Sequence, residues 1–275
     1  MTLEKLVAYA ANSFALPDVC LRLREVLDDH RSDADDIARL ISVDPSLTAK
    51  ILKLANSALF RFPSQVDSIS RAVNVVGGEA LYNLSVAETA NAAFKTFDSH
   101  LIDPEKHWNE SVYCGMAAKY LARHVGVRGS ERFFVTGILH NLSELVMAKY
   151  DPKGYERYLA EDSKLLPWEK QQLVFGFDFA HLSGLILERW QLPLPLFYPV
   201  RNLHNVQKQA NEVDIALLAC AQRVTIREKG QDGQENIDLF TPAIANSLDI
   251  EGEALGNAVI YANQETSKVA SLINQ

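Results

Sequence analysis

Long apolar runs are missing from these 275 residues. Although 48% of the chain is hydrophobic, no stretch approaches the roughly 20 apolar residues that a helical membrane span needs. The opening MTLEKLVAYAANSF carries the acidic Glu4 and has no apolar core behind a basic start, so no cleavable leader is expected and a cytoplasmic location follows. Cysteine is scarce: Cys20, Cys114 and Cys220 are odd in number, far apart and form no CxxC pair. That excludes a disulfide framework and a zinc site of the paired-cysteine kind, and leaves three reduced, buried thiols. Basic charge is also short, with 27 Lys and Arg against 35 Asp and Glu and a net charge of −8. A broad nucleic-acid footprint needs clustered cations, so the balance speaks against one. Alternation of period two appears nowhere, nor does a fixed-length repeat or a low-complexity tract.

What remains is helical patterning from end to end, and the expected fold class is all-α. In SDADDIARLISV, Ser32 is the candidate N-cap ahead of acidic first-turn residues, and Ile37, Leu40 and Ile41 make one stripe. Asp44-Pro45 restarts the pattern, because Asp caps and Pro fits the first helical turn. Leu47, Ile51, Leu54 and Ala55 then share a face, so two helices with almost no linker must meet at a sharp angle. Ser68 or Asp67 caps the next helix, which Gly77-Gly78 ends before an alanine-rich helix from Glu79 to Phe94. The glycine pair lacks the strand before it and the Lys-Ser or Lys-Thr after it that a phosphate loop requires.

Further on, Asp103-Pro104 opens a helix to about His124, and Glu131 to Tyr150 reads as one long apolar helix that carries His140. Shorter helices follow from Tyr155, Pro167 and Ala180, and another after Pro195 contains His204. Asp214 to Glu228, a segment beginning at Thr241-Pro242, and Glu253 to Ile273 complete the set, with QDGQENID as a surface loop. The polar stretch from Phe97 to Asp103 is the candidate boundary, giving lobes of residues 1–98 and 99–275.

DPSLTAKILKLANSALF, from Asp44 to Phe60, resembles the hallmark segment of the HD-related output domain family, HDOD. Leu16-Pro17, SISRAVNVVGGEALYNL from Ser68, GILHNLSELV from Gly137 and AHLSGLILERWQLP from Ala180 agree with it, so the similarity runs from about Phe14 to His204. The resemblance implies a bacterial, HD-like multi-helix bundle in two lobes, related to His-Asp metal-dependent phosphohydrolases. It further implies a signal-output module that generally lacks the full set of metal ligands.

Carried over position by position, the hydrolase pattern is degraded. Its first metal histidine falls at Glu110 in His107-Trp108-Asn109-Glu110-Ser111, its His-Asp doublet is His140-Asn141, and its closing aspartate falls at Cys220 within LLACAQRV. Asn141 keeps the shape of a carboxylate and loses its charge, and a hard cation that activates water needs that charge. No bound metal, no cofactor and no catalysis are therefore expected; a divalent metal held by Glu110, His140 and Cys220 is the alternative.

His140 on an apolar helix reads first as a buried histidine bonded to an oxygen. His181 and His204 stand where some relatives carry extra metal histidines, with His181 expected to bond structurally and His204 to be partly exposed. Asn56 and Ser57 are helix-terminating residues or pocket residues. Phe60, Arg61 and Phe62 make either a partner-binding patch of two aromatics around a cation or a buried Phe60 beside a solvated Arg61.

The expected function is a non-catalytic regulatory module that binds a signalling protein or a small ligand, supplied from elsewhere because no receiver, cyclase or kinase signature is present. Its alternative is a divergent metal-dependent phosphohydrolase. Nucleic-acid binding through the Ser68 to Phe94 helix pair is disfavoured, since the second helix carries Glu79 and Glu88 and only Lys95 at its end. No membrane partner is expected, and oligomeric state is not legible.

Overall fold

The structure, a computed structural model, describes residues 2–60, 62, 65–97, 99–161, 164–230, 244, 247–248, 250 and 252–274. Arg61, the QDGQENID segment and the helix start at Thr241-Pro242 lie outside the described residues. Among those described the chain is all-α, with no strand.

The first part of the chain folds as α1 (Leu3–Ser13), α2 (Asp18–Asp28), α3 (Ala34–Ser42), α4 (Pro45–Ala55), α5 (Ile69–Val76) and α6 (Gly78–Thr96). Local chemistry sets their ends. Asp33, not Ser32, caps α3, accepting from the Asp35 and Asp36 amides while the Asp36 carboxylate accepts from the Asp33 amide. Asp44 accepts from the amides of Ser46 and Leu47 with Pro45 in the first turn, and Ser68 accepts from the Arg71 amide. Gly77 ends α5 at a φ of 88°, a conformation that only glycine adopts without strain.

A second set follows: α7 (Pro104–His124), α8 (Glu131–Leu139), α9 (Leu142–Tyr150), α10 (Pro152–Ala160), α11 (Pro167–Phe175), α12 (Phe179–Arg189), α13 (Leu194–Arg201), α14 (Val206–Asn211), α15 (Val213–Lys229) and α16 (Gly252–Asn274). Helix α7 is central and packs against α8, α15 and α16, while α16 also reaches α4 and α6. Buried side chains from Leu6 to Ile273 join in one connected cluster.

Two segments read as helical in the sequence differ in the structure. The segment from Glu131 to Tyr150 is broken at His140 and Asn141 into α8 and α9. The His140 ring places Nδ1 2.7 Å from the Gly137 carbonyl oxygen, the acceptor that the Asn141 amide would use in an unbroken helix. His204 lies in a turn beyond α13, which stops at Arg201, rather than inside a helix.

The α7–α8 contact is unusually close. A Cβ at Gly137 would stand 2.4 Å from the Gly115 Cα, and one at Gly115 would stand 2.5 Å from the Phe134 carbonyl oxygen. Two glycines let the backbones touch, which brings the face of α7 carrying His107 and Glu110 against the break at His140.

Candidate functional site

A cavity of about 360 Å3 opens where α7, α9, α10 and α15 converge. Asp103 fixes the start of α7 by accepting from the Glu105 and Lys106 amides, and from there His107 and Glu110, three residues apart, face the cavity together. His140 and Asn141 enter from the helix break, Glu144 from the first turn of α9, Tyr155 from α10, and Gln222 and Thr225 from α15.

Each polar group has a defined setting. Ser111 Oγ lies 2.8 Å from the His107 carbonyl oxygen and 3.0 Å from Asn141 Oδ1, and its one proton serves one of the two. An amide at 141 can turn and donate in the other case; a carboxylate cannot. The Tyr155 hydroxyl donates to Glu144 Oε1 at 2.8 Å, and Glu144 Oε2 stands 3.5 Å from His107 Nδ1. His107 Nε2 is buried without a partner.

Burial governs ionisation here. Desolvation, with the charge of His140 adding to it, holds His107 down to about 3. Desolvation also lowers His140 to about 4, against the hydrogen bond to Gly137. It pushes the Glu144 carboxyl up to about 7, partly offset by the Tyr155 bond and reinforced by Glu110. Glu110 is likewise raised by burial, with Lys106 and Lys229 pulling the other way. At neutral pH both histidines are neutral, and Glu144 holds its proton more tightly than an ordinary carboxyl.

The residues singled out in the sequence separate into two groups. Glu110, His140, Asn141 and His204 all line the cavity. Cys220 does not: it is buried within α15, where desolvation pushes its thiol up to about 12, and the next positions, Gln222 and Thr225, face the cavity instead. His181 is outside too, with Nδ1 3.1 Å from the Arg201 carbonyl oxygen.

Asn56 donates to the carbonyls of Leu52 and Val66 and accepts from the Val66 amide, and Ser57 donates to Leu54. Both are tied into the loop after α4. Phe60 is half-buried, stacked on Phe62 at 5.6 Å and covering the Lys119 ammonium, away from the cavity. His204 is fastened at both nitrogens, Nδ1 2.9 Å from Asp178 Oδ1 and Nε2 3.0 Å from Gln222 Oε1, and stacks on Trp168 at 4.5 Å. Burial alone would raise Asp178, yet the His204 hydrogen bond and the neighbouring charges carry its carboxyl below the ordinary value.

Among the cavity residues that escaped the sequence reading are His107, Glu144 and Tyr155. Spacing could have found two of them, since His107 precedes Glu110 by three positions and Glu144 follows His140 by four. Tyr155 arrives on a different helix and carries no local signal.

The donor set does not suit a divalent metal ion. Among the described residues no three His, Cys, Asp or Glu side chains are placed to hold one. Asn141 is engaged with Ser111, Glu144 with Tyr155, and His204 with Asp178 and Gln222.

Comparison with known proteins agrees with the architecture. The HDOD domain model matches residues 14–206. A Geobacter sulfurreducens HDOD domain protein of unknown function superposes with a TM-score of 0.70 at 22% identity, covering 100% of this chain and 99% of that one. A Shewanella amazonensis SB2B protein named as a candidate phosphohydrolase gives 0.73 at 20% identity, covering 98% of each chain. A Marinobacter aquaeolei VT8 protein named as a candidate signal transduction protein gives 0.67 at 18%, covering 95% of this chain and 60% of that one. At these identities the likeness establishes the fold. An uncharacterised Treponema pallidum protein is 27% identical over 200 residues, 72% of this chain, and the match spans only 38% of that relative's length. With a match that takes in well over half of its residues, and a fold shared from end to end with an HDOD protein, the chain belongs to the HDOD domain family.

Proposed function

We propose that this chain is a non-catalytic regulatory module whose cavity at α7, α9 and α15 receives a small ligand or a signalling partner. One observation carries the reading. At the doublet, His140 spends Nδ1 on the Gly137 carbonyl and Asn141 pairs with Ser111, so the pair closes a hydrogen-bonded wall and offers no anionic cradle. The neutral imidazoles and the Glu144 carboxyl, raised by desolvation, favour hydrogen bonding over charge-driven metal capture. The proposed place of action is the cytoplasm of a bacterium; among the described residues no helix is long and apolar enough to cross a membrane.

The second reading, a divergent metal-dependent phosphohydrolase, draws on the convergence of Glu110, Glu144, His107 and His140 on one cavity. Elemental analysis of the purified protein, paired with phosphatase and phosphodiesterase assays on chromogenic esters, separates the two. The regulatory reading expects sub-stoichiometric Mn, Fe, Mg and Zn and no turnover above a denatured control. Stoichiometric metal together with turnover abolished by His140→Ala establishes the hydrolase instead.

A further inference from the structure

A second cavity, about 290 Å3, lies between α7, the end of α15 and α16, and meets the larger one along Lys106, Glu110 and Lys229. The walls from α15 and α16 come from residues beyond 206, where the match to the family model ends. Tyr113 forms part of the lining and is fully buried, yet its hydroxyl has no hydrogen-bond partner. A buried phenol left unpaired is costly, so a group that bonds it gains what the protein alone leaves unmade. Lys229 Nζ sits 4.8 Å from the centre of the Tyr113 ring and donates to Asn263 Oδ1 at 2.9 Å. Lys106 Nζ stands 3.8 Å from Glu110 Oε1, beyond hydrogen-bond reach, so its donors are not consumed.

Two ammonium groups thus flank the Glu110 carboxylate, with Asp103 a further anion acting on Glu110 and the Arg227–Glu228 pair acting on the Tyr113 phenol. The other side chains of the wall, Asn109, Asn263, Thr266 and Ser267, are neutral hydrogen-bonding groups. We propose that this cavity binds the carboxylate or phosphate group of a small ligand between Lys106 and Lys229, with the Tyr113 hydroxyl donating to it. Glu110 belongs to both cavities, so an anion here draws the lysines away from it and alters the charge facing His140.

The site stands apart from the question of catalysis, because neither metal content nor turnover enters its test. Calorimetric titration of the full chain at neutral pH uses inorganic phosphate in one arm and succinate in the other, each against chloride at matched ionic strength. Saturable binding of either supports the site: phosphate alone identifies a phosphoryl source, succinate alone a carboxylate source. Lys229→Met and Tyr113→Phe are each expected to weaken binding by about tenfold, while Lys170→Met, in the larger cavity only, leaves it unchanged. No saturable binding in either arm overturns the proposal. So does equal binding by the wild type, Lys229→Met and Tyr113→Phe, the mark of an adventitious ion only, and so does an equal loss in Lys170→Met.

Discussion

Two buried histidines and the half-buried Glu144 at the larger cavity pull the pH dependence of stability in opposite directions. Glu144 has a native pKa near 7 against an ordinary 4.5, so the folded state holds a proton that the unfolded chain has released. Its contribution is fully present below the ordinary value and is lost as pH rises through 7, a loss of roughly 3 kcal/mol at most. His107 and His140 are depressed from 6.5 to about 3 and about 4. The unfolded chain takes up protons first, so what they contribute is present above 6.5 and lost on acidification. Two histidines outweigh one carboxyl below that point, and stability should peak between about pH 6 and 7. Urea unfolding should find Glu144→Gln more stable than the wild type at about pH 8, by roughly 1–2 kcal/mol once the altered Tyr155 bond is allowed for. The gap should close near about pH 5. A gap of equal size at both pH values would remove Glu144 as the titrating group.

The contact between α7 and α8 rests on absent side chains, and it decides whether the site exists. Gly137→Ala drives a methyl to within 2.4 Å of the Gly115 Cα, with no flexible side chain to yield. A loss of about 3 kcal/mol or more is expected, with the α7 and α8 amides losing hydrogen-exchange protection first. The caps make smaller contributions. Asp44→Ala removes the acceptor for two amides of α4 and should cost about 1 kcal/mol by thermal unfolding. On α6, the acidic residues that argued against a phosphate-facing helix are already paired, Glu79 with Arg24 and the half-buried Glu88 with Lys50. Lys50→Met strands a carboxylate that burial has already raised, and should destabilise by roughly 2 kcal/mol at neutral pH and by less in acid.

Across the whole molecule, α16 ties early and late helices together. Its backbone accepts from Trp108 Nε1 at Ala270 and from Asn91 Nδ2 at Ile273, and its Tyr261 donates to the Ala58 carbonyl. Removing residues 252–275 should expose Trp108, which is buried in the full chain. A red-shifted tryptophan emission and a lower unfolding midpoint are expected, and an unshifted spectrum would mean that α16 adds little to the core.

The sequence by itself determined the all-α class, most helix starts and the family, because caps, Pro-first turns and the 3.6-residue apolar period are written within single segments. It also named Glu110, His140, Asn141 and His204, four residues that meet at one cavity. Tertiary structure alone decided the break at His140, where a side chain takes a backbone acceptor. It decided that Cys220 faces the core while Gln222 and Thr225 face the cavity, since the register of α15 against α7 is a packing outcome. The partnership of Glu144 with Tyr155 and the pKa values that follow were settled the same way. Those depend on desolvation and on distances between helices far apart in the chain, and no local pattern encodes either.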